Sequence, residues 1–201
     1  MKKSLLALAV ASLIAASARP SRAITNDVAF GFRMGAGFPG DINRGVPFSA
    51  EPALMNFTSP VRLYGDPVLI DSATNSVRGF LVGDTAITAI DGVLVRPYPI
   101  QQTTGGMSAA IGAAVPPQER AAVDILTDGY IMVKCNNFGV NPPTKGGLVF
   151  VRTAATSGNL VQGGFHAADD GANAIEITNA EWNGPADAQG IAELRTWKAR
   201  A

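Results

Sequence analysis

The sequence is poor in the residues from which most catalytic and metal sites are built. It has one cysteine and one histidine among 201 residues. A single cysteine excludes a disulfide within the chain and any metal site with several thiolate ligands. Cys135 alternates with Ile131 and Val133, so we expect a buried thiol that reacts slowly.

An excess of charge of either sign is also lacking. Lysine and arginine together number 16, and so do aspartate and glutamate, which gives a formal net charge of zero. Proteins that coat nucleic acid or bind anionic membranes need a positive field, and no basic stripe follows any predicted strand or helix. We therefore expect neither nucleic acid nor a membrane as a partner.

Motifs for catalysis are missing as well. The sequence contains neither a Gly-x-Ser-x-Gly elbow nor a His-Glu-x-x-His helix. His166 lies in a Gly/Asp-rich stretch, and we interpret it as a solvated loop residue rather than a base or a metal ligand. We expect a protein that is not an enzyme, with no catalytic residue, cofactor or metal.

The sequence does have many short β-branched and aromatic runs, separated by turn residues that include 22 glycines and 13 prolines. This rhythm predicts an all-β (mainly β) fold, an antiparallel β-sandwich or barrel with at most short helices. Residues 103–128 interrupt the rhythm as a loop excursion, in which 118–126 could form a short helix. The predicted outer strands are 61–64, 67–70, 77–82, 86–90, 93–96, 173–178 and 190–197.

Two further runs, 129–135 and 147–152, are joined by a Pro/Gly-rich connection that cannot continue a ladder. We interpret them as an antiparallel hairpin at the centre of the fold. Strand alternation predicts a core face and a mixed face for the first arm. The core face has Ile131, Val133 and Cys135, and the mixed face has Tyr130, Met132 and Lys134.

The N-terminal part of the chain reads differently. Residues 1–23 combine Lys2 and Lys3 with an apolar run and small-residue sites, which fits either a cleaved signal peptide or an uncleaved helix that docks on a partner. A Gly/Phe-rich extended arm follows, whose Phe30, Phe32 and Phe38 we expect to plug into neighbouring surfaces. We predict an N-terminal segment at 1–57 and a β-rich body at 58–201, with every strand that closes the core after Ser59.

Five motifs occur in order along the chain: FPGDI (38–42), GVLVRPYPIQQ (92–102), DGYIMVK (128–134), KGGLVFVR (145–152) and NAEWNGPADAQG (179–190). In this order and spacing, from about residue 28 to residue 197, the chain resembles the structural cement (head decoration) proteins of tailed bacteriophages. The stretch 1–23 lies outside the resemblance.

The resemblance implies a small, non-enzymatic β-rich protein of the virion that binds the outer surface of an assembled capsid. It implies the major capsid protein as partner, with neighbouring capsid subunits bridged, and capsid contacts at Phe30, Phe32 and Phe38. Closed symmetry at capsid axes favours a homo-oligomer, with a trimer first. The alternative is an exported periplasmic or surface β-domain, a binding module from which residues 1–23 are cleaved.

Overall fold

The computed structural model describes residues 37–97 and 115–198. These residues belong to one compact unit of the chain, Gly35–Ala201. The domain boundary predicted at residue 57 falls inside this unit. The signal-like stretch, Phe30, Phe32 and residues 103–114 of the predicted loop excursion lie outside the described residues.

Strands, turns and irregular segments make up nearly all of the described chain, which confirms the prediction of a mainly β fold. Its one helical element is a 3-10 turn at Gly171–Asn173, and no helix in this part of the chain is long and apolar enough to cross a bilayer. The strands are β1 (Ser49–Leu54), β2 (Pro67–Asp71), β3 (Ser76–Arg78), β4 (Gly92–Leu94), β5 (Ala122–Lys134), β6 (Val149–Arg152), β7 (Phe165–His166), β8 (Ala174–Ile177), β9 (Ala180–Trp182) and β10 (Ile191–Thr196).

The strands form two sheets, and the pairs within them are antiparallel. The larger sheet has the order β3-β2-β4-β5-β10-β9, with β1 also paired to β5, and the smaller has the order β7-β6-β8. Strand β5 organises the larger sheet because its first half pairs with β1 and β4, whereas its second half pairs with β10. Cys135, just after β5, forms a bridge to Phe165 of β7 and so joins the two sheets.

The predicted central hairpin is wrong. Its two runs are strands β5 and β6, but β6 pairs with β7 and β8 rather than with β5. The connection between them turns the chain away at Asn137, which has a positive φ of 57°. The predicted faces are nevertheless correct, because Ile131, Val133 and Cys135 are fully buried and Tyr130 and Lys134 are partly exposed. The alternation of residues along the strand predicted which side chains are buried, but it did not predict which strand pairs with β5.

The hydrophobic core lies between the two sheets. Its main cluster includes Val133 and Leu194 from the larger sheet and Val149 and Phe165 from the smaller one. Trp182 meets Phe165 edge to face, with 6.3 Å between ring centroids. A second cluster, which includes Met55, Val61, Val68, Val77, Leu94 and Ile125, lies within the larger sheet.

Several predicted elements are replaced by others. The possible helix at 118–126 is wrong, since β5 begins at Ala122 and alternates between buried Val123 and exposed Asp124. The predicted strands at 61–64 and 86–90 are irregular, although they contain buried residues. Their backbone groups bond to side chains instead of to a ladder: Val61 N–H donates to Met55 Sδ (3.3 Å), and Ile90 N–H donates to Asn179 Oδ1 (2.9 Å).

Strand β1 also corrects an expectation, because it lies before Ser59 and belongs to the larger sheet. It pairs with β5 along its whole length, from Ser49 opposite Asp128 to Leu54 opposite Ala122. Met55, which follows it, is fully buried in the second cluster. The core therefore depends on residues that the sequence analysis assigned to the arm.

Candidate functional site

Strand β1 separates a core-facing row of side chains from an exposed one. Ala53 packs against the second cluster and Met55 is part of it. The alternate residues, together with Phe48 just before the strand, are apolar and exposed, with 53% of Phe48 and 40% of Leu54 accessible to solvent. We call this row the outer face of β1: Phe48, Ala50, Pro52 and Leu54. Contiguous exposed apolar side chains of this kind mark interaction surfaces.

The backbone of β1 limits how a partner can contact this face. Met55 N–H donates toward β5, to Ala121 O (2.9 Å), while Asn56 N–H donates to Val77 O on the other side (2.8 Å). By alternation, the backbone groups of Ala50, Pro52 and Leu54 point away from β5. Proline has no N–H, so the middle of this edge lacks a donor for an added strand. Contact through side chains is therefore favoured over strand addition.

A groove lies beyond the end of β1, and we call it the Phe57 groove. It has a volume of about 290 Å³, and 69% of Phe57 at its border is accessible to solvent. The Thr74 and Ser76 hydroxyls in its lining lie 2.6 Å apart. Hydrogen bonds from the Thr74 hydroxyl and the Ala73 amide hold the pKa of the neighbouring Asp71 carboxyl below its ordinary value. The lining residues are Met55, Asn56, Phe57, Thr58, Thr74, Ser76 and Arg120.

Residues 38–44, which we call the strap, are fastened to the sheet ahead of β1. Gly40 N–H donates to Met132 O (2.7 Å), Met132 N–H donates to Asp41 O, and Arg96 N–H donates to Gly40 O (both 2.9 Å). Gly40 has a φ of 90°, and a Cβ there would lie 2.9 Å from the Cβ atoms of Arg96 and Tyr64. Glycine is required at this position for both reasons.

Side chains fix the two ends of the strap. Arg44 donates from two nitrogens to the Glu193 carboxylate, each at 2.6 Å, and its guanidinium lies 4.7 Å from the centroid of the Tyr130 ring. At the other end, Arg96 stacks on Phe38 with 4.6 Å between the guanidinium carbon and the ring centroid. Phe38 is thus held against the body and remains 43% exposed.

His166 is not the solvated loop residue that the sequence suggested. It lies in β7 opposite Phe150, only 3% of it is exposed, and burial lowers its pKa. Its Nε2 atom has no hydrogen-bond partner in the described part of the chain, and the residue borders a cavity of about 70 Å³. Arg152, 6% exposed, forms an ion pair with Asp170 beside this cavity. The neighbouring Gly163-Gly164 pair resembles a turn in sequence, which hid the strand.

Comparison with known proteins identifies the family. A family model described as structural cement protein (E217 gp24/Pam3 gp6) matches residues 26–196. The chain belongs to this phage cement protein family. A comparison with curated proteins found no match. Among solved structures, a chain from the capsid of Myoviridae phage XM1 aligns with a TM-score of 0.58 and 15% identity, covering 83% of this chain and 94% of that one. At that identity the likeness shows a shared fold.

Membership confirms the resemblance found in the sequence and gives the cement protein a structural role in the capsid. Cys135 is fully buried, and burial raises its pKa to about 12, so almost no reactive thiolate forms at neutral pH. Across residues 37–97 and 115–198, no group of three or more His, Cys, Asp or Glu side chains could hold a metal ion.

Of the three predicted capsid contacts, the described part of the cement protein contains Phe38. The outer face of β1, Phe57 and Arg120 are not among the contacts predicted from the sequence. A signal was available, because apolar residues alternate from Phe48 to Leu54. Pro52 and the scarcity of β-branched residues in this stretch concealed that alternation.

Proposed function

We propose that this cement protein binds the outer surface of the phage head, where it bridges neighbouring major capsid subunits and stabilises the shell without catalysing a reaction. The observation that carries this proposal is the family match over residues 26–196, which spans the described sheets. The exposed apolar outer face of β1 supports it, because a soluble protein gains from covering such a surface.

The capsid contact is proposed to combine the outer face of β1 and Phe57 with the aromatic residues of the N-terminal segment. These are Phe38, which the strap holds in place, and Phe30 and Phe32, which precede the described residues. Contacts of moderate strength at several points produce high overall affinity when a stiff body links them. The two sheets supply that body. We further propose a homo-oligomer, with a trimer favoured at capsid symmetry axes.

The test is reconstitution on capsids that lack decoration. Purified protein is added over a concentration series, and occupancy is measured by gel and electron microscopy. We expect saturable binding on the outside of the shell and a higher capsid melting temperature. Phe48→Ser/Leu54→Ser should raise the half-occupancy concentration by about tenfold or more. Val140→Ser is the matched control, because Val140 is 73% exposed and lies outside the outer face of β1. Absence of wild-type binding would overturn the proposal.

The exported β-domain is the second candidate, and the signal-like residues 1–23 favour it. Mass spectrometry of the mature chain separates the two. Virions that contain a chain beginning at Met1 or Lys2 exclude export of that chain. A chain beginning at Arg19 or Ile24 and recovered from the periplasm would support the exported module instead.

A further inference from the structure

We propose that the Phe57 groove receives an extended segment of the major capsid protein in which an apolar side chain lies next to an aspartate or glutamate. The inference rests on the proposed function and specifies the chemistry of the partner at one point of the contact. Three features of the groove support it: how its two sides are brought together, what its lining offers, and an arginine that forms no ion pair in the described part of the chain.

The groove is assembled by the pairing of β1 with β5. Phe57 and Arg120 are distant in sequence, but Leu54 lies opposite Ala122, and Met55 N–H continues the ladder by donating to Ala121 O (2.9 Å). The residues just after β1 therefore meet those just before β5. Leu54, the last residue of the outer face, is followed directly by the lining residues Met55, Asn56 and Phe57, so we expect one partner segment to contact both.

The lining of the groove suits a peptide better than a cofactor. Its volume of about 290 Å³ is at the lower end of the range for small-molecule pockets, ~300–1,000 Å³. One side offers the exposed ring of Phe57, and the other offers the Thr74 and Ser76 hydroxyls. An apolar side chain of the segment can pack on the ring, beside hydroxyls that are already bonded to each other and, through Thr74, to Asp71.

Arg120 supplies the charge that selects an acidic segment. The other described arginines are already engaged: Arg96 stacks on Phe38, and five form ion pairs with carboxylates, namely Arg44, Arg62, Arg78, Arg152 and Arg195. Arg120 is exposed and makes no ion pair within residues 37–97 and 115–198. Its guanidinium is therefore free to bind a carboxylate through two parallel hydrogen bonds.

Among the described carboxylates, Asp71 bonds to groove residues and Glu119 precedes Arg120 in sequence, and neither forms an ion pair with Arg120. Asp71 accepts hydrogen bonds from Asn56, Thr74 and Ala73. Glu119 is adjacent in sequence and exposed, and it forms no ion pair in the described part of the chain. A carboxylate from the partner would give Arg120 the counter-charge that residues 37–97 and 115–198 of its own chain do not supply.

The first test is capsid reconstitution with Arg120→Glu and Phe57→Ala. We expect each variant to raise the half-occupancy concentration by about tenfold, and the Arg120→Glu effect to shrink as salt is added. Arg195→Glu and Val82→Ala are the matched controls, since Arg195 is exposed but ion-paired and Val82 is 64% exposed elsewhere. If the wild type binds and both groove variants match it, the groove proposal fails while the capsid proposal stands. If the wild type does not bind, the capsid proposal itself fails.

The second test identifies the occupant directly. A photo-crosslinking phenylalanine analogue at position 57 is irradiated on decorated capsids, and the crosslinked peptide is sequenced. Recovery of a capsid-protein peptide with an apolar residue beside Asp or Glu supports the proposal. Recovery of a basic peptide, or of a second copy of this chain, overturns it.

Discussion

The two halves of β5 have different surroundings. Its first half pairs with β1, and Ala122, Asp124 and Asp128 there are exposed. Its second half pairs with β10, and Ile131, Met132 and Val133 are all buried. One continuous strand thus supports an exposed apolar face at one end and the shared core of two sheets at the other. Both halves contribute buried residues, since Val123, Ile125 and Leu126 of the first half are buried too, but the exposed apolar row lies beside the first half alone.

The deletion of residues 1–57 tests how far the two halves of β5 differ. The sequence alone predicts that this truncation leaves a folded body with weak capsid affinity. The structure leads to a different expectation, because the deletion removes β1 and Met55 and uncovers Val123 and Ile125 of the second cluster. We expect an unfolded or aggregated chain, measured by circular dichroism and size-exclusion chromatography.

A deletion of residues 1–36 is the control, because it leaves every described strand and the strap in place. It should retain the β-type spectrum. A cooperatively folded 58–201 fragment would contradict the expectation and show that β1 is dispensable for the core.

Phe165→Ala probes the shared core at the second half of β5. Phe165 is fully buried, bridges to Cys135 and contacts Trp182. Removing the ring leaves a cavity between the sheets, so the free energy of unfolding should fall by about 3–5 kcal/mol in urea titrations. Leu81→Ala, at a residue that is 43% exposed, is the control and should change it by less than about 0.5 kcal/mol. A loss below about 1 kcal/mol for Phe165→Ala would mean that the sheets do not depend on this contact.

How much of the fold the sequence predicts depends on whether each feature is set by neighbouring residues or by residues far away in the chain. Alternation along 129–135 is local, and it correctly gave the buried face of β5, whereas all four residues of β6 are buried. Partner choice is not local, so the hairpin between them was wrongly predicted. Strands as short as β7, Phe165–His166, have no periodicity to detect. Strand β1 was missed because Pro52 argues against a strand, although its missing N–H falls on the edge where no ladder bond is made.

The candidate site was less predictable than the fold. Phe38 was identified from its own motif, but the Phe57 groove exists only because β1 pairs with β5. Nothing near Arg120 in sequence indicates that Phe57 will lie across from it. A site whose residues are brought together by long-range strand pairing can be recognised only when the register of that pairing is known.

Asp66 gives a pH-dependent test of the part of the molecule next to the second cluster. It is 3% exposed, and burial raises the pKa of its carboxyl to about 6, despite an ion pair with Arg62 at 3.0 Å. Because the folded protein holds this proton more tightly than the unfolded chain, the stability that Asp66 contributes is fully present below about pH 4. It is lost as the pH rises to about 6.

The measurement compares urea unfolding of the wild type and Asp66→Asn from pH 4 to pH 7. The free energy of unfolding of the wild type, relative to the variant, should fall by on the order of 2–3 kcal/mol across this range. The wild type is compared with Asp66→Asn because His166 also titrates in this range. Burial lowers the pKa of His166, so it destabilises the folded protein as the pH falls below the ordinary histidine pKa, opposite to the effect of Asp66. A constant difference would show that Asp66 is ionised throughout.

The smallest change in stability is expected for a substitution on the outer face of β1. Leu54 lies on the outer face of β1 and is 40% exposed, so Leu54→Ser should change the free energy of unfolding by less than about 1 kcal/mol. The same substitution at Leu194, which is fully buried opposite the second half of β5, should cost about 3 kcal/mol or more, since it leaves both a cavity and a buried hydroxyl. Urea titrations of the two variants measure both values. If Leu54→Ser also weakens capsid binding while Leu194→Ser, where folded, does not, then the exposed face serves the capsid and the buried face serves the fold. Equal stability losses would instead mean that Leu54 packs as core, and the distinction between the two halves of β5 would fail.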